Sequence, residues 1–161
     1  MSDVISLAHA LAPEGQPTRF FHALDHYLQA SVGHIYMTLL IVDGDDVARV
    51  YSSDESNYPS GGRKPMRKTP WGDLVLRDHQ CFLARDRSGV RWAFFDHAFM
   101  ESLGVGSAIN VPVLYNGACL GTLNLNNAEH HYEQGHLQIA QDVAPLLIPA
   151  FLTLQRAQTK A

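Results

Sequence analysis

Arg63, Lys64, Arg67 and Lys68 fill four of six consecutive positions in the stretch YPSGGRKPMRKTPWG, 58–72, of a chain whose formal net charge is −4. A third of the twelve Lys and Arg therefore sits in one glycine- and proline-broken segment, and the chemistry this offers is anion binding. Gly61-Gly62 let backbone approach a bound group closely, and Arg63 and Lys64 supply charge. A helix starting at Thr69-Pro70 directs unpaired N–H groups toward the same place, an arrangement suited to carboxylate or phosphate. The competing reading is a solvated charge run. Neutralising Arg63 and Lys64 together separates the two.

A second set of candidates comes from strand alternation. In 35–42, Ile35, Met37, Leu39 and Ile41 form one apolar face, and Tyr36 and Thr38 mark the other as mixed. Ile109, Val111 and Val113 oppose Ala108, Asn110 and Pro112, while Leu123 and Leu125 oppose Thr122 and Asn124. Aligned mixed faces gather Tyr36, Thr38, Asn110, Thr122 and Asn124 on one side of a sheet, and Tyr51 on a neighbouring strand is counted with them. Buried amides and hydroxyls need partners, since an unpaired one costs roughly 1–3 kcal/mol. A small polar ligand would supply them; water and loop backbone are the alternative. Trp71, Phe94, Phe95 and Phe99 are candidate apolar walls, with core packing equally open to each.

Other reactive types form no recognisable constellation. His130, His131 and His136 lie close in sequence without a completing Cys or carboxylate array, and His22 and His26 lack the HExxH context, so no metal is expected. No Ser-His-Asp order, GxxxxGK loop or carboxylate pair stands out, so no catalytic residue and no cofactor are assigned. Cys81 and Cys119 sit among apolar neighbours, as buried thiols in a reducing compartment do.

The elements that must hold these residues follow from length and pattern. A chain of 161 residues suits one core. The expected division is a lead over 1–16, one domain over 17–155 and a tail over 156–161. No run approaches the ~18 unbroken apolar residues of a membrane span, and no secretory leader is apparent. A cytoplasmic location is expected, with no membrane partner. The mild acidity argues against nucleic acid.

Residues 17–31 read as an amphipathic helix. Two β-favouring runs flank the DGDD turn, with Asp43-Gly44 supplying its positive φ, and 54–70 loses apolar periodicity. Thr69-Pro70 caps a short helix, CFLARD reads as a strand and WAFFDHAFMESLG as one helix stopped by Gly104. SAINVPVLYNGACLGTLNL is a hairpin around Asn116-Gly117. A long two-striped helix follows from residue 132, with a kink or break at Pro145 and Pro149. The order predicts an α+β domain with a largely antiparallel sheet.

Val111-Pro112-Val113, Asn116-Gly117, Gly121-Thr122-Leu123-Asn124 and Tyr132-Glu133, followed by the long helix, resemble the second half of a GAF domain. With the first helix and hairpin in order, the resemblance covers roughly 17–155. It implies a six-stranded antiparallel sheet between helical layers, a small-molecule pocket on one face, and terminal helices on the other that often pair two subunits. Cyclic-nucleotide-binding members carry an Asn-Lys…Phe…Asp-Glu signature, where this chain reads NNAEHHYEQ. Bilin-attaching members typically place His after the linking Cys, where Phe82 follows Cys81 and Leu120 follows Cys119.

The resemblance thus implies a ligand-binding sensory or regulatory domain, and the sequence after the last helix leads to the expectation that it lacks its own output segment. It would act on a small polar or anionic molecule through a homodimer of its terminal helices or a separate signalling protein. A small redox enzyme such as a free methionine sulfoxide reductase, and a dimerisation module with a vestigial pocket, are the alternatives.

Overall fold

The computed structural model describes residues 2–160. Helix α1 (Ser2–His9) lies in the segment read as a lead and places Leu7 in the core, a contribution absent from the periodicity reading. Helix α2 (Thr18–Ser31) buries Phe20, Leu24 and Leu28, four residues apart and therefore on one face. Strands β1 (Tyr36–Asp43) and β2 (Asp46–Ser52) form the first hairpin, and its loop is Gly44-Asp45, one residue beyond the expected turn, with Gly44 at φ +59°.

The basic stretch holds a strand that its composition does not announce. Arg63–Pro65 forms β3, paired antiparallel with β2 through Asp46↔Pro65, Val47↔Lys64 and Ala48↔Arg63. Helix α3 (Pro70–Gly72) begins where expected, the Thr69 hydroxyl accepting the Gly72 N–H at 2.9 Å, and runs into a π turn, Asp73–Arg77. Strand β4 (Phe82–Ala84) follows. The single helix expected over WAFFDHAFMESLG is instead two, α4 (Arg87–Ala93) and α5 (His97–Ser102), parted at Phe94-Phe95-Asp96. Asp86 sets the start of α4 by accepting the Gly89 N–H at 3.1 Å, five residues earlier than the apolar pattern suggests.

Strands β5 (Ser107–Tyr115) and β6 (Ala118–Asn127) close on Asn116-Gly117, both at positive φ as a tight hairpin turn requires. The predicted long helix is interrupted at its prolines. Helix α6 (Gln134–Val143) passes through a 3₁₀ turn (Ala144–Leu147) holding Pro145 into α7 (Ile148–Lys160), where Pro149 sits in the first turn and needs no helical donor.

The six strands run in the order β3-β2-β1-β6-β5-β4, all neighbours antiparallel. This is an α+β fold with a six-stranded sheet between helical layers. On one face Met37, Leu39, Ile41, Ile109, Val111, Leu123 and Leu125 pack on α2 and the C-terminal helices through Leu137, Val143, Leu147 and Phe151. Ile35 departs from its expected place there: it precedes β1 and is 42% exposed. By length and composition the run Gln134–Ala157 would suffice to cross a membrane, yet its apolar stripe lies in this core.

A polar cluster ties α2 to the sheet. Gln29 and His34 exchange bonds (Nε2 to the His34 carbonyl, 3.0 Å; His34 N–H to Oε1, 2.7 Å), closing the turn into β1. Asp25 lies 2.7 Å from His34 Nε2 and accepts the Tyr51 hydroxyl. Desolvation raises the Asp25 pKa, but the bonds from His34 and Tyr51 and the nearby imidazoles together hold it below the ordinary aspartate value of about 4. A lowered folded pKa means that the unfolded chain takes up the proton first. The cluster's contribution is therefore complete above that value and is lost as pH falls through the folded one. Urea midpoints should show Asp25→Asn destabilised at pH 7, with the gap to the parent narrowing steadily below about pH 4.

Candidate functional site

The sheet face opposite the main core carries the polar side chains, and register sets them in rows. Arg49, Leu40, Thr122 and Pro112 are cross-strand neighbours; Thr38, Asn124 and Asn110 form the next row; Tyr36, Asn126 and Ala108 the third. Above them the segment Lys64–Gly72 and residues 93–96 complete a cavity of about 490 Å³. That volume lies within the range of ordinary small-molecule sites.

The floor is held by a directional chain of bonds. Trp71 Nε1–H donates to Asn110 Oδ1 (3.0 Å), Asn110 Nδ2 donates to Asn124 Oδ1 (2.8 Å), and Asn124 Nδ2 points at the carbonyl and hydroxyl oxygens of Thr38 (3.4 Å each). Because an indole can only donate, Trp71 fixes the orientation of the Asn110 amide, and that fixes Asn124. Two further oxygens, Thr122 Oγ1 and Asn126 Oδ1, are buried in the cavity wall and have no hydrogen-bond partner among the described residues.

At the third row, Tyr36 stacks on Tyr58 with ring centroids 4.5 Å apart, and the Tyr58 hydroxyl donates to Asp96 Oδ2 at 3.1 Å. Burial, and then its bond to Tyr58, pushes the Tyr36 phenol well up. Burial likewise raises Tyr58, to about 12. Both remain protonated donors. The Arg49 guanidinium lies 5.3 Å from the Tyr58 ring centroid and donates through Nη1 to the Pro59 carbonyl at 3.0 Å.

Of the residues expected here, Tyr36, Thr38, Lys64, Trp71, Asn110, Thr122 and Asn124 all line this one cavity. Tyr51 does not. The β1–β2 register shifts between Leu39 and Leu40, so Leu40 opposes Arg49 while Leu39 opposes Tyr51. The extra residue, Val50, turns Tyr51 to the helical face, where it meets Phe21 and Asp25.

Arg63 also lies outside the lining. Alternation in β3 sends Lys64 to the cavity with Val47 and turns Arg63 away, where it bonds Asp46 at 3.1 Å and Asp43. Of the four cations, Lys64 and Arg67 line the cavity and Lys68 does not. Phe94 and Phe95 are walls, whereas Phe99 packs outside on Tyr58 with centroids 5.8 Å apart.

Sequence reasoning missed Arg49, Tyr58, Asp96 and Asn126. One further step of alternation beyond Asn124 would have reached Asn126. Nothing local marks Tyr58 or Asp96, which come from irregular segments. Neither cysteine lines the cavity, and burial raises both thiols, the reverse of what an attacking thiolate needs. Among the described residues no group of three or more His, Cys, Asp or Glu is placed to hold a metal.

The Trp71 bond ties the Lys64–Gly72 segment to the floor. Trp71→Phe should cost about 1 kcal/mol. It should also speed tryptic cleavage after the exposed Arg67 and Lys68 several-fold, which limited proteolysis followed by mass spectrometry reads directly.

The GAF domain family model matches residues 18–148. Among solved structures, the chain is similar to the GAF domain of a phosphoenolpyruvate-protein phosphotransferase from Coxiella burnetii. Identity is 15% with TM-score 0.74, over 99% of this chain and 98% of that one. It is similar also to the GAF domain of the Acinetobacter phosphoenolpyruvate-protein phosphotransferase (11%, TM-score 0.74, 94% and 92%). The chromophore-binding domain of an unusual bacteriophytochrome from R. palustris shares the fold at 12% identity and TM-score 0.70, over 98% of this chain and 61% of that one. Among curated proteins, none matches the chain.

Proposed function

For a chain that belongs to the GAF domain family, we propose a role as a sensory or regulatory domain that binds a small polar molecule in the cavity beneath the Lys64–Gly72 segment. The observation that carries this reading is the pair of buried oxygens, Thr122 Oγ1 and Asn126 Oδ1. Each is a polar atom whose lack of a partner costs free energy, and both belong to residues that line the same cavity; a ligand supplying hydrogen bonds there removes that cost. Apolar walls from Trp71, Phe94 and Leu40 add contact area, and the polar floor supplies orientation.

Native mass spectrometry of the protein purified from its own host tests the reading. A resident mass that disappears in the Thr122→Val, Asn126→Leu double variant supports it. An unliganded spectrum, with no change in the cavity-lining amides on exposure to host extract, would sink it.

The response is proposed to pass through the terminal helices, as a homodimer or against a separate signalling protein. The C-terminal run supports this, since its apolar residues Ile139, Leu146, Leu152 and Leu154 remain only partly buried, although Val143 and Ala150, expected on the second stripe with Ile139 and Leu146, are buried in the core. Sedimentation with and without the resident molecule reads subunit number, and a monomer in both conditions would remove the homodimer.

A further inference from the structure

From the exposed residues that ring the cavity, we infer that this face of the protein docks on an anionic lipid surface, as a peripheral contact with the cavity mouth turned to the bilayer. A lining residue that is also exposed stands at the opening, and these are Lys64, Pro65, Met66, Arg67, Thr69 and Phe95. Two are cations, two are large apolar side chains, and none is acidic. Every other lining residue is buried or half-buried. Phe95, in the break between α4 and α5, is 88% exposed, and the Lys64 ammonium lies 5.4 Å from its ring centroid.

The surroundings extend both characters. Exposed Lys68 follows directly in the chain, and none of Lys64, Arg67 and Lys68 has an ion-pair partner among the described residues. Exposed Phe99 packs on the lining Tyr58, and exposed Trp92 reaches the lining Phe94 through Phe82. The stretch 63–101, which brings all of these, carries eight Lys and Arg against five Asp and Glu, a formal +3 in a chain of −4, so the remainder carries −7. The charge of the molecule is thus polarised toward the cavity mouth.

Apolar side chains protruding among unpaired cations match a surface with negative headgroups above acyl chains. An acidic protein segment would meet the same charge. The exposed apolar groups, however, stand singly on separate segments. A fluid bilayer receives such groups one by one, whereas a protein partner needs a matching relief. The acidic remainder does not cancel the attraction: a domain of this length has a radius of gyration of about 15 Å, and charges beyond about 8 Å from the lipid are screened at physiological ionic strength. No spanning segment is involved, and the contact does not depend on an occupied cavity.

Co-sedimentation of the intact chain with phosphatidylcholine vesicles, with and without about a third of the lipid replaced by phosphatidylserine, tests the inference. Binding should be at least about tenfold tighter to the anionic vesicles and should weaken as salt is raised. Lys68→Ala, outside the cavity lining, should weaken it about fivefold, and Phe95→Ser at least about tenfold. Arg19→Ala removes the same charge from α2, which packs on the opposite sheet face, and should leave binding unchanged. All three side chains are exposed, so each variant should melt as the parent does. Insertion has its own readout: Phe95→Trp in a Trp92→Phe background should gain emission that brominated phosphatidylcholine in the anionic vesicles quenches.

Equal binding to neutral and anionic vesicles, binding to neither, a loss with Arg19→Ala as large as with Lys68→Ala, or an unquenched Phe95→Trp signal overturns the inference. Capture of polyglutamate by a chain that ignores anionic vesicles also overturns it and assigns the face to an acidic polypeptide. The ligand-site reading is decided separately, by the resident mass in native mass spectrometry.

Discussion

Gly121→Ala is expected to destabilise the protein by about 3 kcal/mol, the upper end for forcing atoms into a packed interior. A Cβ at this position would stand 2.0 Å from the Leu40 carbonyl oxygen and 2.9 Å from both Ile41 Cα and the Phe151 ring. The Phe151 ring can shift, but the Leu40 carbonyl and Ile41 belong to β1, the central neighbour of β6. Relief therefore means separating two paired strands in the middle of the sheet. The register shift between Val113 and Leu114 in the β5–β6 pair leaves Leu120 as the extra residue right beside Gly121. Thermal unfolding should show the melting temperature lowered by roughly 6–12 °C for a chain of this size. An unchanged midpoint would mean that the β1–β6 approach is looser than described here. The result also explains why glycine stands first in the Gly-Thr-Leu-Asn strand: the requirement is close backbone approach, not turn formation.

The second large effect belongs to Asn124→Leu. Asn124 is the middle of the chain from Trp71 to Thr38, and leucine of similar size removes both its donor and its acceptor. Asn110 cannot turn its amide to compensate, because Trp71 needs the oxygen where it is. The Asn110 Nδ2 group is then buried without an acceptor, at an expected cost of about 2 kcal/mol. Two readouts separate this from general loosening. Urea unfolding reports the stability loss. Trp71 emission should shift to the red as the Lys64–Gly72 segment loses its seat, and Trp92→Phe keeps that signal unambiguous. Any molecule that native mass spectrometry finds resident in the parent should be lost as well. If stability falls but Trp71 emission and retention of any bound molecule stay as in the parent, the floor is structural and takes no part in binding.

These two effects arise from opposite kinds of constraint. At Gly121 there is no room for one carbon, and at Asn124 there is room only for a group with the right hydrogen-bond polarity. The same contrast governs the wider site. The cavity's apolar walls tolerate exchange of similar volumes, but its amide chain has a direction that cannot be reversed link by link.

Much of this was legible in the chain itself. Strand alternation has a period of two and is set by each strand's own residues, so Tyr36, Thr38, Asn110, Thr122 and Asn124 fell correctly on one face. The Thr69 cap, the Asn116-Gly117 turn and the proline interruption of the last helix are likewise local, each fixed by steric or hydrogen-bond needs within a few residues. The charge of the basic stretch was legible, but which of its side chains reach the cavity was not. Only the pairing of β3 with β2 decides that Lys64 faces the cavity while Arg63 turns to Asp43 and Asp46. Only the register shift in the first hairpin moves Tyr51 to the helical face, leaving Arg49 on the cavity side of that strand. Tyr58 and Asp96 reach the site from segments without periodicity, brought together by their own hydrogen bond across 38 residues of chain. Which face a residue takes within a strand follows from local geometry, but register, bulges and the path of long loops depend on contacts between distant segments. Those contacts exist only once the sheet has assembled.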